Sequence, residues 1–192
     1  MRTRDVGWVE VICGPMFSGK SEELIRRVVR VDIARRKVQV FKPALDDRYA
    51  DREIVSHSRL SVSAIPVEDS AELLRLVDDE TEVIGVDEAQ FFDDGLVEVV
   101  ESLAHGGRQV IVAGLDLDYL GRPFEPIPTL ATRAEYVTKA LAVCHRCGEP
   151  ANFTQRTVVS DDLVVLGATD SYEARCRRCW DPTEPEQPKL EL

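Results

Sequence analysis

Three groups of residues in this sequence have the types and spacing to do chemistry. Gly14-Pro15-Met16-Phe17-Ser18-Gly19-Lys20-Ser21 fits the pattern G-x-x-x-x-G-K-S/T, the signature of a loop that wraps the phosphates of a nucleotide. Glycines let the backbone curl around a phosphate chain, so that successive N–H groups face its oxygens. A helix opening at the same spot adds partial positive charge. In that arrangement Lys20 reaches the β- and γ-phosphates, and the Ser21 hydroxyl takes one position on Mg²⁺.

The second group is acidic. Val83-Ile84-Gly85-Val86-Asp87-Glu88 puts two carboxylates at the end of an apolar run. If the run is a strand of an open α/β sheet, its carboxyl end is where ligands bind. Asp87 suits a grip on Mg²⁺, direct or through water. Glu88, one residue on, suits accepting a proton from an attacking hydroxyl or orienting a water. Kinases and ATPases both use carboxylates here, so this pattern alone does not separate them.

The third group is made of thiols. Four of the five cysteines form two pairs, Cys144-x-x-Cys147 and Cys176-x-x-Cys179. In a cytosolic chain such pairs point to metal before disulfide, and four thiolates complete a tetrahedral, structural Zn²⁺ site. The 28 residues between Cys147 and Cys176 then form a long loop, pinned by zinc at its base and free to serve a site at its tip. His145 lies inside the first pair but is surplus to a complete all-cysteine set. Cys13 reads as a small buried hydrophobe, and His57 and His105 as loop and helix-surface residues.

These residues need elements to position them. Trp8 to Cys13 is a β-branched run stopped by Gly14-Pro15, which predicts a buried strand entering the phosphate loop. From Ser21 to about Arg36, Leu24, Ile25, Val28, Val31 and Ile33 recur at helical spacing between Glu and Arg residues. Lys37 to Lys42 is a further strand, Ala44 to Leu60 a long polar loop of functional length, and Val62 to Val67 a short strand. Asp69 to Val77 is a helix capped by Asp69 or Ser70, and Glu82 to Asp87 a buried strand. Asp94 to Leu103 is a helix stopped by Gly106-Gly107, and Arg108 to Gly114 another strand. Strands alternating with helices imply βαβ units and a mainly parallel sheet covered on both faces, an α/β fold. After about Leu141 short strands, cysteines and loops take over, and the proline-rich acidic segment 181–192 reads as a disordered tail.

Composition narrows the partners. The 192 residues are 44% hydrophobic and 31% charged, as in an ordinary soluble domain, and no apolar run has membrane-spanning length. The start of the chain lacks the apolar core of a secretory signal, so a cytoplasmic protein is expected. A net charge of −11 has the wrong sign for nucleic acid or an anionic membrane. A small-molecule partner is the better expectation.

At this point the residues resemble a known family. The phosphate loop with its Pro-Met-Phe insert, the later Asp87-Glu-Ala-Gln-Phe-Phe92, Gly114-Leu-Asp116 and the two cysteine pairs resemble the zinc-containing class of thymidine kinases, in order, from about Val9 to Trp180. The resemblance implies a RecA-like P-loop domain over 1–140 and a small zinc-ribbon domain over 141–180. The lasso loop of the second domain would cover the substrate. The implied activity moves the γ-phosphate of ATP to the 5′-hydroxyl of thymidine, with deoxyuridine a candidate second acceptor, in nucleotide salvage. It implies Glu88 as the base and a nucleotide site made of Gly14, Pro15, Met16, Phe17, Ser18, Gly19, Lys20, Ser21, Asp87, Glu88 and Gln90. Met16, Phe91, Leu115 and Tyr119 would line the thymine pocket, Thr154 and Tyr172 would close it, and Arg156 would steady phosphate charge. Arg48 matches a flap near the phosphates, and a homotetramer is implied. Tyr119 stands where phenylalanine is more usual, Leu120 where arginine is expected, and Glu125 where glycine is common.

Two other readings share the phosphate loop. A RecA-like zinc-ribbon ATPase acting on nucleic acid or protein would hydrolyse ATP without thymidine, and its DNA affinity would fall with salt. A nucleotide-gated regulatory module would bind ATP without turnover.

Overall fold

The computed structural model describes residues 6–44, 53–55, 61–158 and 171–182. Arg48, His57, the lasso segment 159–170 and the tail beyond Pro182 lie outside the described residues.

The strands of the main sheet are short, and in the interior ones alternate residues enter opposite hydrophobic layers. β1 (Trp8–Cys13) leads through the phosphate loop into α1 (Lys20–Ile33), and β2 (Val38–Pro43) follows. β3 (Glu53–Val55) and β4 (Ser61–Ser63) form a separate antiparallel pair, Glu53 opposite Ser63. Next come β5 (Ile65–Val67), α2 (Ser70–Leu76), β6 (Val83–Val86), a 3₁₀ turn at Ala89–Phe91, α3 (Leu96–His105) and β7 (Gln109–Gly114). α4 (Ile127–Arg133) and β8 (Tyr136–Lys139) complete this part. The six-stranded sheet has the order β5-β2-β6-β7-β1-β8, and every pairing in it is parallel.

Val9, Val11 and Cys13 of β1 join Ile84, Val86, Val110 and Val112 in one core, roofed by α3, with Leu73 of α2 and Leu130 of α4. Ile12, Val83, Ile111 and Ala113 point the other way, onto Leu24, Ile25, Val28 and Val31 of α1. This is the period-two alternation of a sheet covered on both faces. The expected α/β architecture with a parallel sheet is therefore present.

Several boundaries differ from the sequence expectation. α1 ends at Ile33 rather than Arg36, because Arg35 adopts a left-handed φ of 57° that closes the helix without a glycine. The stretch 44–60, expected to be all loop, contains β3. Residues 62–67, expected as one strand, split at buried Ala64 into β4 and β5, which belong to different sheets. α4 and β8 had no counterpart in the sequence reading. β8 shows mostly exposed residues on its open edge, so it lacks an alternating signature. The Glu125 carboxylate accepts from the Thr129 N–H at 3.2 Å in the first turn of α4. Where expected, Asp69 caps α2 through the Glu72 N–H at 2.7 Å, and Asp93 ties that helix start to the next turn by accepting from Ser70 and Gly95.

The remaining elements are β9 (Ala142–Val143), β10 (Pro150–Ala151), β11 (Phe153–Arg156) and β12 (Tyr172–Arg175). They form two small antiparallel ribbons, β9 with β10 and β11 with β12. Ala142, Cys144, Ala151, Ala174 and Cys176 make a third small core of their own. Just past Trp180, the Asp181 N–H donates to Gln155 at 2.9 Å.

Candidate active site

The carboxyl ends of three neighbouring strands converge. β7 lies between β6 and β1, so Asp87-Glu88, Leu115-Asp116 and the phosphate loop leave the sheet side by side. Gly14 has a φ of 142°, and a Cβ there would fall 2.2 Å from the Ala140 carbonyl, so only glycine fits. Gly19 is left-handed at φ 78° and opens α1. Ser18 Oγ and Lys20 Nζ both donate to the Pro15 carbonyl at 2.8 Å, which closes the loop on itself. The Met16 N–H donates to Thr154 Oγ1 at 3.0 Å, a bond that anchors the loop to β11.

Charge is concentrated beneath this loop. Burial pushes the Lys20 ammonium down, and the Glu88, Asp87 and Asp116 carboxylates oppose it. Burial and the neighbouring Glu88 push the Asp87 carboxyl well up, while the Ser21 hydroxyl and the Glu88 N–H, both donating to it, pull the other way. A buried carboxylate beside a loop hydroxyl is an oxygen donor set suited to a hard divalent cation. Lys139 of β8 donates to Asp116 Oδ2 at 2.5 Å, across the end of β1. Cys13 lies below this pair; burial, helped by Asp116, pushes its thiol up to about 11, so it stays protonated, in keeping with the small buried hydrophobe expected.

Glu88 stands apart from its neighbours. It is exposed, whereas Asp87, Ala89 and Gln90 are buried. Its backbone is left-handed, φ 50° and ψ 38°, a strained state for a residue with a Cβ. Gln90 Nε2 donates to Glu88 Oε2 at 2.6 Å, and Gln90 Oε1 accepts from the Leu115 N–H at 2.9 Å.

The residues expected to line a base pocket fall into three contacts. Met16 meets Thr154, as above. Phe91 packs edge-on against Phe124, ring centres 6.2 Å apart. The Arg156 guanidinium lies 3.7 Å from the centre of the Tyr119 ring and 5.5 Å from that of Tyr172, and its Nη2 donates to Tyr172 Oη at 3.1 Å. Leu115 begins the loop that carries Tyr119. Phe92 belongs to the main core. Phe153 stacks on Trp180 at 4.3 Å, and the six-membered ring of that indole also lies against Gly121, where a Cβ would come within 2.6 Å of the ring. Phe124, Asp116, Lys139 and Trp180 had no assigned role in the sequence reading. Their nearest signal is the Gly114-Leu115-Asp116 element, which carried no side-chain role of its own.

The four paired cysteines meet as expected, their Sγ atoms all within 4.8 Å of one another. Cys147 Sγ lies 3.6 Å from both Cys176 Sγ and Cys179 Sγ. Tetrahedral zinc at ~2.3 Å from each sulfur places sulfurs about 3.8 Å apart, so the set fits that ion. Burial works against the Cys144 thiolate, but backbone N–H groups of Cys176, Cys147 and Arg146 outweigh it and hold the thiol down at about 6. His145 is outside the cluster, its Nε2 3.9 Å from Glu173.

A sequence model of the thymidine kinase family matches residues 7–180. The chain is 56% identical over 180 residues to a protein named thymidine kinase from Rhodothermus sp. (strain ITI 518), an alignment covering 94% of this chain and 84% of that one. It is 51% identical over 178 residues to a thymidine kinase of Bacteroides thetaiotaomicron (strain ATCC 29148), with 93% and 89% covered. The chain belongs to the thymidine kinase family. As a family member it is an ATP-dependent kinase, a transferase, and the phosphate loop, acidic strand end and cysteine cluster are features of this thymidine kinase family member. No helix among its described residues is long and apolar enough to cross a membrane.

Proposed function

We propose that this thymidine kinase family member transfers the γ-phosphate of ATP to the 5′-hydroxyl of thymidine, with Glu88 as the base. The observation that carries the assignment is the pairing of opposites at one strand end: Asp87 buried under the phosphate loop, Glu88 exposed beside it. The loop N–H groups and Lys20 hold the phosphates and stabilise charge on the transferring group. Ser21 and Asp87 would hold Mg²⁺, which when bound neutralises phosphate charge. Glu88 accepts the proton of the 5′-hydroxyl as that oxygen attacks in line.

Met16, Phe91, Leu115 and Tyr119 supply a flat apolar pocket for thymine, with Thr154 and Tyr172 at its closing side. Arg156 lies on two tyrosine faces and donates to the Tyr172 hydroxyl, so we assign it to bracing the pocket wall, where its charge also faces the site. The cysteine cluster would hold structural zinc and pin the base of the lasso. Its separate small core supports a division into a kinase domain, 1–140, and a zinc domain, 141–180. A cytoplasmic homotetramer is the assembly we expect, to be checked by light scattering.

The deciding experiment follows ATP consumption with Mg²⁺, with and without thymidine, alongside detection of thymidine monophosphate. Thymidine-dependent turnover giving that product is the expected result. Hydrolysis indifferent to thymidine would instead favour an ATPase.

A further inference from the structure

We propose that Gln90 is the positioning residue for Glu88, coupling the base to the wall of the acceptor pocket, and that it is not a nucleotide ligand. The proposal rests on the reading of Glu88 as base. Gln90 is 4% exposed and lies in the 3₁₀ turn directly after the acidic pair. Its amide is used in both directions: Nε2 donates to Glu88 Oε2 at 2.6 Å and Oε1 accepts from the Leu115 N–H at 2.9 Å. Only one orientation satisfies both. Turning the amide over would set N–H against N–H and oxygen against carboxylate.

The surroundings are shaped for this bridge. Gly114 ends β7 immediately before Leu115, and a Cβ there would lie 2.8 Å from Gln90 Oε1 and 2.7 Å from Ile127 Cδ1. Any larger residue would displace the amide from the Leu115 N–H. Glu88, by contrast, is exposed, and a long carboxylate side chain in solvent samples many rotamers. The hydrogen bond from Gln90 restricts that freedom at the oxygen, where a base must be placed. Because the other end of the amide holds Leu115, the first residue of the loop carrying Tyr119, base and pocket wall keep a fixed separation.

The test compares full-length wild type with Gln90→Leu, Gln90→Glu and Glu88→Gln, and with Gln90→Leu made in the Glu88→Gln background. Gln90→Leu removes both bonds. Gln90→Glu keeps an acceptor for Leu115 but offers Glu88 no donor, and it stands in if the leucine variant does not fold. The expected result is a kcat lower by roughly 10- to 100-fold in each Gln90 variant, with ATP affinity by calorimetry unchanged. In the Glu88→Gln background, Gln90→Leu should cause no further loss of kcat, because two residues acting through one group are not additive. Weakened ATP binding with kcat intact at saturating ATP would make Gln90 a nucleotide ligand and overturn the proposal. An equal loss from Gln90→Leu with and without Glu88 would remove the positioning role while leaving the base in place. Full turnover by Glu88→Gln alone would show a different failure, that of the base itself.

Discussion

Glu88 and Asp87 are adjacent carboxylates whose environments push them to different tasks. Asp87 is buried, accepts hydrogen bonds from Ser21 and the Glu88 N–H, and is driven toward its neutral form by that burial and by the neighbouring Glu88. Glu88 has a left-handed backbone, and its side chain is exposed, as the proposed role of base requires. Glu88→Gln keeps the size of the side chain and its place beside Gln90 but removes the proton acceptor. It should lower kcat by on the order of 10²- to 10⁴-fold and leave ATP binding near the wild-type value, measured by steady-state kinetics beside calorimetry. Unchanged turnover would remove Glu88 from the mechanism.

Among the elements, α1 ties the site to the sheet, since its N-terminus is the phosphate loop's exit and its apolar face packs on one side of the main sheet. Arg27 fixes it to the sheet, donating to Glu23 in its own first turn, to Glu10 of β1 and to Thr138 of β8 at 2.7–2.8 Å. Hydrogen bonds from Arg26, together with those and the charge of Arg27, hold the Glu23 carboxyl down at about 2 against an ordinary 4.5. A group depressed in the fold stabilises it at pH values above its unfolded value. That contribution is complete above about 4.5 and fades as pH falls toward 2. Thermal melts should therefore show a fall in midpoint over this window that is shallower in Glu23→Gln. An identical fall in both proteins would show that the pair contributes nothing to acid stability. Element boundaries were legible in the sequence where a cap or a fully buried run marked them, as at Asp69 and in β6. They were not legible at Arg35, which ends a helix by its backbone conformation alone, or in β8, which is an exposed edge.

At the scale of the molecule, specific contacts among the described residues join the part of the chain around the cysteine cluster to the main sheet's loops. Thr154 holds the Met16 N–H, Arg156 stacks on Tyr119, and Trp180 lies against Gly121. Each runs from the β11–β12 ribbon or the second cysteine pair to the phosphate loop or the loop after β7. Loss of zinc should thus be felt in the pocket. Cys176→Ser, or wild type treated with a strong chelator, should lose bound zinc, melt at lower temperature and show a raised KM for thymidine, with metal content read by atomic absorption. A variant with zinc gone but thymidine KM unchanged would show that the ribbon docks without the metal's help.

The sequence alone determined the chemistry-bearing residues and the strands and helices that carry most of them. Phosphate loop, acidic strand end and cysteine pairs are local patterns, and local patterns depend on the backbone preferences of a few consecutive residues. Only the tertiary structure decided which of these groups touch. Gln90 meets Leu115 across 25 residues of sequence and Met16 meets Thr154 across 138. It also decided that Arg156 lies on ring faces and that Trp180 presses on Gly121. Such contacts are fixed by how whole elements pack. One glycine at Gly114 or Gly121 sets the approach of a distant side chain, and nothing in its neighbours along the chain announces that partner.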